Sequence, residues 1–197
     1  MTTATIPEIE TERLLLRGPV SPDVDAWAAC LADPDVTRFV PAGAGTFRER
    51  AERKIDQYQR CWEQDPQNLM GWVIAGKAEG RLIGLCCIET VEQMNDGELA
   101  YFLGKASWGQ GLMTEAVRAM VRYGFEHGGW DRLVAYIVPA NGASGRVLEH
   151  NGFVYEKNVD YREVAGDPNM NALFADVRYY TLRREQFVPG DASYRVR

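Results

Sequence analysis

The stretch from Asp96 to Gly128, DGELAYFLGKASWGQGLMTEAVRAMVRYGFEHG, narrows the possible folds more than any other part of the chain. Glu98, Ala100 and Phe102 alternate with Leu99, Tyr101 and Leu103, the period of two expected of a strand. After Gly104 the alternation stops, and Trp108-Gly109-Gln110-Gly111 is too rich in glycine to lie inside an element. From Leu112 the period becomes helical, with Met113, Val117, Met120, Val121 and Gly124 on one face. Thr114 and Glu115 suit a helix start, where short polar and acidic side chains are favoured. A strand that runs through a glycine loop into a helix makes an anion cradle. Glycine lets the backbone approach a ligand, and the first N–H groups of the helix point toward negative charge. A diphosphate is the natural guest. No GK[ST] follows, and no acidic residue closes a second strand, so the pattern points away from nucleoside triphosphates and NAD.

The rest of the chain sets the bounds. Its 197 residues suit one domain able to bury a full core. A net charge of −6 argues against nucleic acid as partner, because phosphate neutralisation needs a basic face. The same charge is compatible with a cationic amine substrate. Cys86 and Cys87 are adjacent in the apolar run LIGLCCI. They cannot easily bridge to each other and lack metal-ligand spacing, so with Cys30 and Cys61 they read as free thiols, with no metal site. No basic-then-apolar leader opens the chain and no apolar run reaches membrane length. The expectation is a cytoplasmic protein with no membrane contact, a monomer or homodimer.

Taken in order, residues 1–9 read as a flexible start, 10–183 as the domain and 184–197 as a tail without a packing pattern. TERLLLR, residues 11–17, is a first strand. Ser21-Pro22 opens a helix that Asp33-Pro34 ends, and residues 39–46 form a loop. Thr46 caps a second helix running to about Gln64, with Ile55, Tyr58 and Trp62 along one side. Trp72–Ala75 and Leu82–Glu89, separated by AEGR, read as a hairpin. With residues 97–103 they make an antiparallel meander crossed by the helix at 112–127. Leu133–Val138 is the next strand, and Asn141 opens a short helix that stops at Asn151-Gly152. Strands begin at Phe153 and at Val177. His127 and His150 fall at helix C-termini, where imidazolium is favoured, and read as poor candidates for catalysis.

GELAYFL followed by WGQGLMTEA closely resembles the coenzyme A-binding motif of the GCN5-related N-acetyltransferases, the GNAT superfamily. The likeness is greatest to the branch that holds the ribosomal-protein alanine N-acetyltransferases. That motif runs Gln or Arg, two residues, Gly, one residue, then Gly or Ala. Gly111 fits its central glycine, while Trp108 stands at the first position and Met113 at the last. A second block, VPANGASGRVLEHNGF at 138–153, matches the family's asparagine-to-glycine-phenylalanine segment. The TERLLLR opening is also typical of the branch, and the resemblance spans about residues 10 to 183.

The resemblance implies an α/β (α+β) fold. Its mixed, mostly antiparallel sheet has six or seven strands, flanked by about four helices, and its central strands splay to admit the acetyl-pantetheine. It implies acetyl-CoA as cofactor and direct transfer of the acetyl group to a primary amine. The acceptor it favours is a protein N-terminal α-amine. A small amine such as an aminoglycoside, polyamine or amino acid is the alternative, as is a non-catalytic acyl-CoA-binding module. The cradle would be Trp108, Gly109, Gln110, Gly111, Leu112, Met113 and Thr114, with backbone donors for the acetyl oxygen at Phe102 and Leu103. Asn141 would hydrogen-bond the pantetheine arm and also serves as a helix cap. The first two helices would form one wall of the acceptor pocket.

Two residues carry the chemistry on this reading. Glu98 is the candidate base, receiving the amine proton through water, with Glu89 a lesser candidate and Glu115 assigned to the helix start. Many members place a tyrosine seven residues after the asparagine to protonate the leaving thiolate, and Leu148 stands there instead. Ser144, one turn earlier on the same helix face, is the residue the branch offers in its place.

Overall fold

The computed structural model describes residues 6–40, 43–65, 68–91, 95–189 and 194–197. Residues 1–5 of the expected flexible start, Pro41 and Ala42 of the expected loop, and residues 190–193 of the tail lie outside the described residues. Among those described, nine strands form one sheet. They are β1 (Ile9–Glu10), β2 (Leu14–Arg17), β3 (Leu69–Gly76), β4 (Leu82–Val91), β5 (Asp96–Leu103), β6 (Arg132–Ile137), β7 (Val154–Val159), β8 (Val177–Arg183) and β9 (Arg195–Val196). The spatial order is β7-β8-β6-β5-β4-β3-β2-β1-β9, antiparallel at every junction except β5–β6. The helices are α1 (Asp23–Ala32), α2 (Pro34–Thr37), α3 (Phe47–Gln64), α4 (Leu112–His127), α5 (Gly142–Glu149) and α6 (Tyr161–Val164).

The sheet is thus mixed and mostly antiparallel, as expected, with more strands than the six or seven anticipated. β1 and β9 are the additions at one edge. They pair with each other, Ile9 opposite Val196 and Glu10 opposite Arg195, so part of the tail rejoins the sheet. Strands this short carry no period, and only a pairing partner identifies them. Two short helices were also beyond reach. Asp33-Pro34 ends α1 and at once opens α2, with the Asp33 carboxylate accepting from the Asp35 N–H at 2.9 Å and Pro34 in the first turn. The Thr46 cap is present as a full capping box, with Glu49 reaching back to the Thr46 N–H at 2.7 Å.

Two cores share the central strands. Cys86 and Ile88 of β4 face α4, packing with Val117, Met120 and Trp72. Leu85 and Cys87 face the other way, with Trp27 and Leu31 of α1 and Ala51 and Tyr58 of α3. A strand buried on both faces shows no alternation, which explains the continuous LIGLCCI run. All four cysteines are free thiols. Among the described residues no helix is long and apolar enough to cross a membrane.

The junction between β5 and β6 positions everything that follows. Only Gly97 with Leu133 and Glu98 with Val134 pair across it. Beyond Glu98 the strands part, β6 staying with β8 as far as Ile137 and β5 staying with β4 as far as Leu103. The sheet is splayed at its centre, and Glu98 is the last paired residue of β5 before the gap.

Candidate active site

A cavity of about 630 Å³ opens along the splay. Tyr101, Phe102 and Leu103 of β5 form one wall, Asn141, Ser144 and Val147 of α5 the opposite one, and Val36 and Phe39 stand at one side. Its far end is the loop from Ser107 to Gly111 and the first turn of α4. This size is typical of small-molecule and cofactor sites.

Strand pairing sorts the backbone donors. Hydrogen-bonded pairs alternate along an antiparallel ladder, and the Gly104 N–H donates to the Ile83 carbonyl at 2.9 Å. The same register therefore turns the Phe102 N–H toward Leu85 on β4. Tyr101 and Leu103 face the gap instead, and the Leu103 carbonyl accepts from the Trp108 indole N–H at 2.8 Å. Of the two residues expected to present backbone donors, Leu103 has its N–H on the open side. Phe102 contributes its ring, packed edge-on to Trp27 with centroids 3.9 Å apart.

The cradle forms because two of its residues are glycine. Gly109 and Gly111 have φ of 73° and 74°, a left-handed conformation in which a side chain is strained. A Cβ at Gly109 would meet nothing within 4 Å, and one at Gly111 only the Arg13 Nη2, at 3.6 Å. That open space lies over the start of α4, whose first N–H groups have no side-chain cap. Gln110 turns its carbonyl outward to Arg13 Nη1 at 2.8 Å and donates its side-chain amide to Ala106 at 3.1 Å. Met113, at the motif's last position, is buried in the core beneath the helix. Free N–H groups and space fit a diphosphate, and two of the carboxylates that line the adjoining cavities are ion-paired, Asp35 with Lys105 and Glu115 with Arg13.

Glu115 lies in the first turn of α4, but its carboxylate turns to the segment that leads into β2 and does not cap the helix. It accepts from Thr11 Oγ1 at 2.6 Å and from the Arg13 N–H and Nε at 2.8 and 2.7 Å. Burial works against its charge, but these donors prevail and hold it below the ordinary carboxylate range. Arg13 lies 97 residues before Gln110, so nothing local in the sequence ties it to the cradle. A second cavity, of about 500 Å³, meets the first at Gly111, Thr114 and His150 and adds Arg118 and Arg122. Arg13 and Arg118, with Arg146 on α5, bring positive charge to the cavities that meet at the cradle, beside Glu12 and Glu115. Both cavities reach His150, whose Nδ1 lies 2.6 Å from the Arg146 carbonyl.

Asn141 caps α5, its Oδ1 accepting from the Ser144 N–H at 3.4 Å. Because it also lines the cavity, the side-chain amide can donate to a ligand while the oxygen caps. Ser144 is half-buried on the cavity wall, whereas Leu148, one turn on, is sealed in the core. Tyr101 went unnoticed in the sequence because its strand face reads as core. Its hydroxyl donates to the Ser144 carbonyl at 3.1 Å, locking α5 to β5, and burial pushes the phenol pKa up.

Glu98 stands on the opposite face of β5. Burial pushes its carboxyl from the ordinary 4.5 up to about 7, a hydrogen bond from Tyr161 pulls the other way, and Glu89 adds repulsion. Glu89 is directly across the β4–β5 ladder and solvent-exposed. Ala100, next on this face, is exposed although it lies in an inner strand, and neither it nor Glu98 lines the two cavities. A base that titrates near neutral pH is suited to proton transfer.

Residues 13–154 match the model of the acetyltransferase (GNAT) domain. N-acetyltransferase p20 of Bacillus licheniformis, itself described as uncharacterized, is 29% identical over 90% of this chain and 96% of its own length. The ribosomal-protein-S5-alanine acetyltransferase of Vibrio fischeri has the same fold, with a TM-score of 0.74 at 21% identity over 92% of this chain and 99% of that one. RimJ of Mycobacterium smegmatis, solved with CoA-disulfide, superposes with a TM-score of 0.74 at 19% identity over 90% and 88% of the two chains.

Proposed function

The chain belongs to the GNAT acetyltransferases, and on that premise we propose that it transfers acetyl from acetyl-CoA to a primary amine, the α-amine of a protein N-terminus. One observation carries the reading: Glu98, its carboxyl pushed up to about 7, is the last residue of β5 paired with β6, and the cavity that opens farther along β5, from Tyr101 on, ends at the glycine cradle. Acetyl-CoA supplies an acetyl group already activated as a thioester. Trp108 to Thr114 hold the diphosphate on backbone N–H groups, with Arg13 beside them. The amide of Asn141 steadies the pantetheine arm. The N–H of Leu103 meets the charge that builds on the acetyl oxygen, as preorganised donors do. Glu98 takes the proton that the amine gives up on attack, through water, and the hydroxyl of Ser144 supports the sulfur as its bond to the acetyl carbon breaks.

Electrostatics supports an N-terminal amine over a free amino acid. Glu89 opposite Glu98 disfavours any acceptor with a carboxylate next to its amine, and a peptide N-terminus has none. The Vibrio fischeri protein of the same fold is a ribosomal-protein-S5-alanine acetyltransferase, which agrees with that choice. The reading extends to a cytoplasmic enzyme, supported by four unpaired thiols. The direct test measures free thiol released from acetyl-CoA across peptides with free N-termini, amino acids, polyamines and aminoglycosides. Peptides are expected to turn over best. Faster turnover of the small amines would move the acceptor class, and tight CoA binding with no turnover at all would leave a binding module.

Ser144→Ala is expected to lower kcat about ten-fold with little change in the acetyl-CoA KM. The effect is small because a thiol with a pKa near 8.5 leaves readily as its anion, so help from an acid falls at or below the lower end of ~100-fold. Steady-state kinetics on the variant decides it, and an unchanged kcat reduces Ser144 to a helix-start residue. Restoring a tyrosine at Leu148 is a poor companion test, because a sealed core position is overpacked by the larger ring at a cost of about 1–3 kcal/mol.

A further inference from the structure

No motif marks Tyr161, which lies in a segment of irregular sequence between β7 and β8. The structure places it with care. Asp160 caps α6, its carboxylate accepting from the Arg162 N–H at 3.0 Å. The Tyr161 ring packs against Tyr136 of β6, centroids 4.8 Å apart, and against Phe174 at 6.3 Å. So held, its hydroxyl donates to Glu98 Oε1 at 2.7 Å across 63 residues of chain. Among the described residues Oε2 has no hydrogen-bond partner and no cation lies within ion-pair distance of Glu98.

We propose that Tyr161 is a positioning residue for the base of the acetyl transfer: it ties Oε1 of Glu98 and leaves Oε2 as the oxygen that takes the proton. The inference rests on the reading of Glu98 as that base. A glutamate at the mouth of an open gap has several rotamers available, and one donor fixed by two aromatic contacts selects among them. The phenol can do this throughout the working range. Burial comes first and the adjacent Glu98 charge second in keeping Tyr161 protonated. The other groups facing the carboxylate do not substitute for it. Glu89 on β4 is of like charge. Cys87 on β4 and Tyr136 on β6 are neutral, burial raising both. Lys54 on α3 is turned to Gln57 at 3.0 Å and lies over the Tyr58 ring.

The test compares the full-length enzyme with Tyr161→Phe, which keeps the ring packing and removes only the donor. Rates are taken with acetyl-CoA and an N-terminal peptide from pH 5.5 to 9.5. We expect kcat to fall about ten-fold at neutral pH and the acetyl-CoA KM to hold. The acid limb should move upward by about one pH unit, because loss of a donor to the anion favours the neutral acid. In a Glu98→Gln background the same substitution should change nothing further. A folded Tyr161→Phe whose limb stays in place, or equal losses in both backgrounds, overturns the proposal while Glu98 remains the base. A Glu98→Gln enzyme with the parent's rate and profile removes the base and the proposal together. Should Tyr161→Phe fail to fold, ¹³C carboxyl titration of the parent takes over. The Glu98 signal, assigned by its loss in Glu98→Gln, and the Tyr161 ring signals are expected to share one midpoint, and ring signals indifferent to it overturn the proposal.

Discussion

Gly111→Val is expected to weaken coenzyme A binding by roughly two to four orders of magnitude while leaving a folded protein. Gly111 sits at φ 74° at the start of α4, and a β-branched residue in that region is a strong outlier. The strain costs about 1–3 kcal/mol, which a domain of this size survives. The fold has room for the side chain, since a Cβ would approach only Arg13 Nη2, at 3.6 Å. The ligand does not share that room. A branched side chain would fill the space through which the diphosphate reaches the backbone, and a relaxed loop would turn its N–H groups away. Hydrogen bonds to a charged group are worth about 1.5–3 kcal/mol each, so losing two of them lowers affinity roughly 10²- to 10⁴-fold. Calorimetric titration with coenzyme A, beside a melting curve, separates the effects. A folded variant with unchanged affinity would show that the loop is only a strand-to-helix turn.

Glu98→Gln carries the second large effect, about 100-fold in kcat near pH 7. The active carboxylate forms as pH rises through about 7, and an α-amine with a pKa near 8 is mostly protonated there. By pH 9 the acceptor has lost its proton unaided, so the gap between variant and parent should narrow to a few-fold. Coincident pH profiles would remove Glu98 from the mechanism. The same residue gives a stability signature of known sign. Its carboxyl pKa is raised on folding, from 4.5 to about 7. The contribution to stability is therefore whole below 4.5 and lost as pH rises through 7. Glutamine has no charge to desolvate. We expect the variant to melt above the parent at pH 8 by roughly 5 °C, about 2 kcal/mol, with no difference at pH 4.5.

The parts legible in the sequence were those whose signal is local. The strand, loop and helix from Asp96 to Gly128 carry two periods and two glycines in one short window, and the Asn141 helix carries its own cap. Glu98 could be named because alternation placed it on a strand face beside the loop and the family resemblance gave a glutamate there the role of base. What escaped depends on pairing across the chain. Arg13 supports the cradle through Gln110 and Glu115, and Tyr161 reaches Glu98 from a segment with no period. Neither residue type is unusual where it stands. β1 and β9 are two residues each and exist only as partners of each other and of β2. Alternation also fails to say which N–H of Phe102 and Leu103 is free, because that depends on the parity of the ladder with β4.

The two rungs between β5 and β6 have a mechanical meaning. Among the described residues they are the only strand pairing between a block of three strands and a block of six. The tyrosine-rich core of Val138, Phe174, Val177 and their neighbours belongs to the smaller block. The narrow junction between the two blocks therefore runs beside the candidate site. A polar, amide-bearing arm laid in the gap would act as a provisional strand, stitching the blocks at Tyr101 and Leu103 where the sheet itself does not.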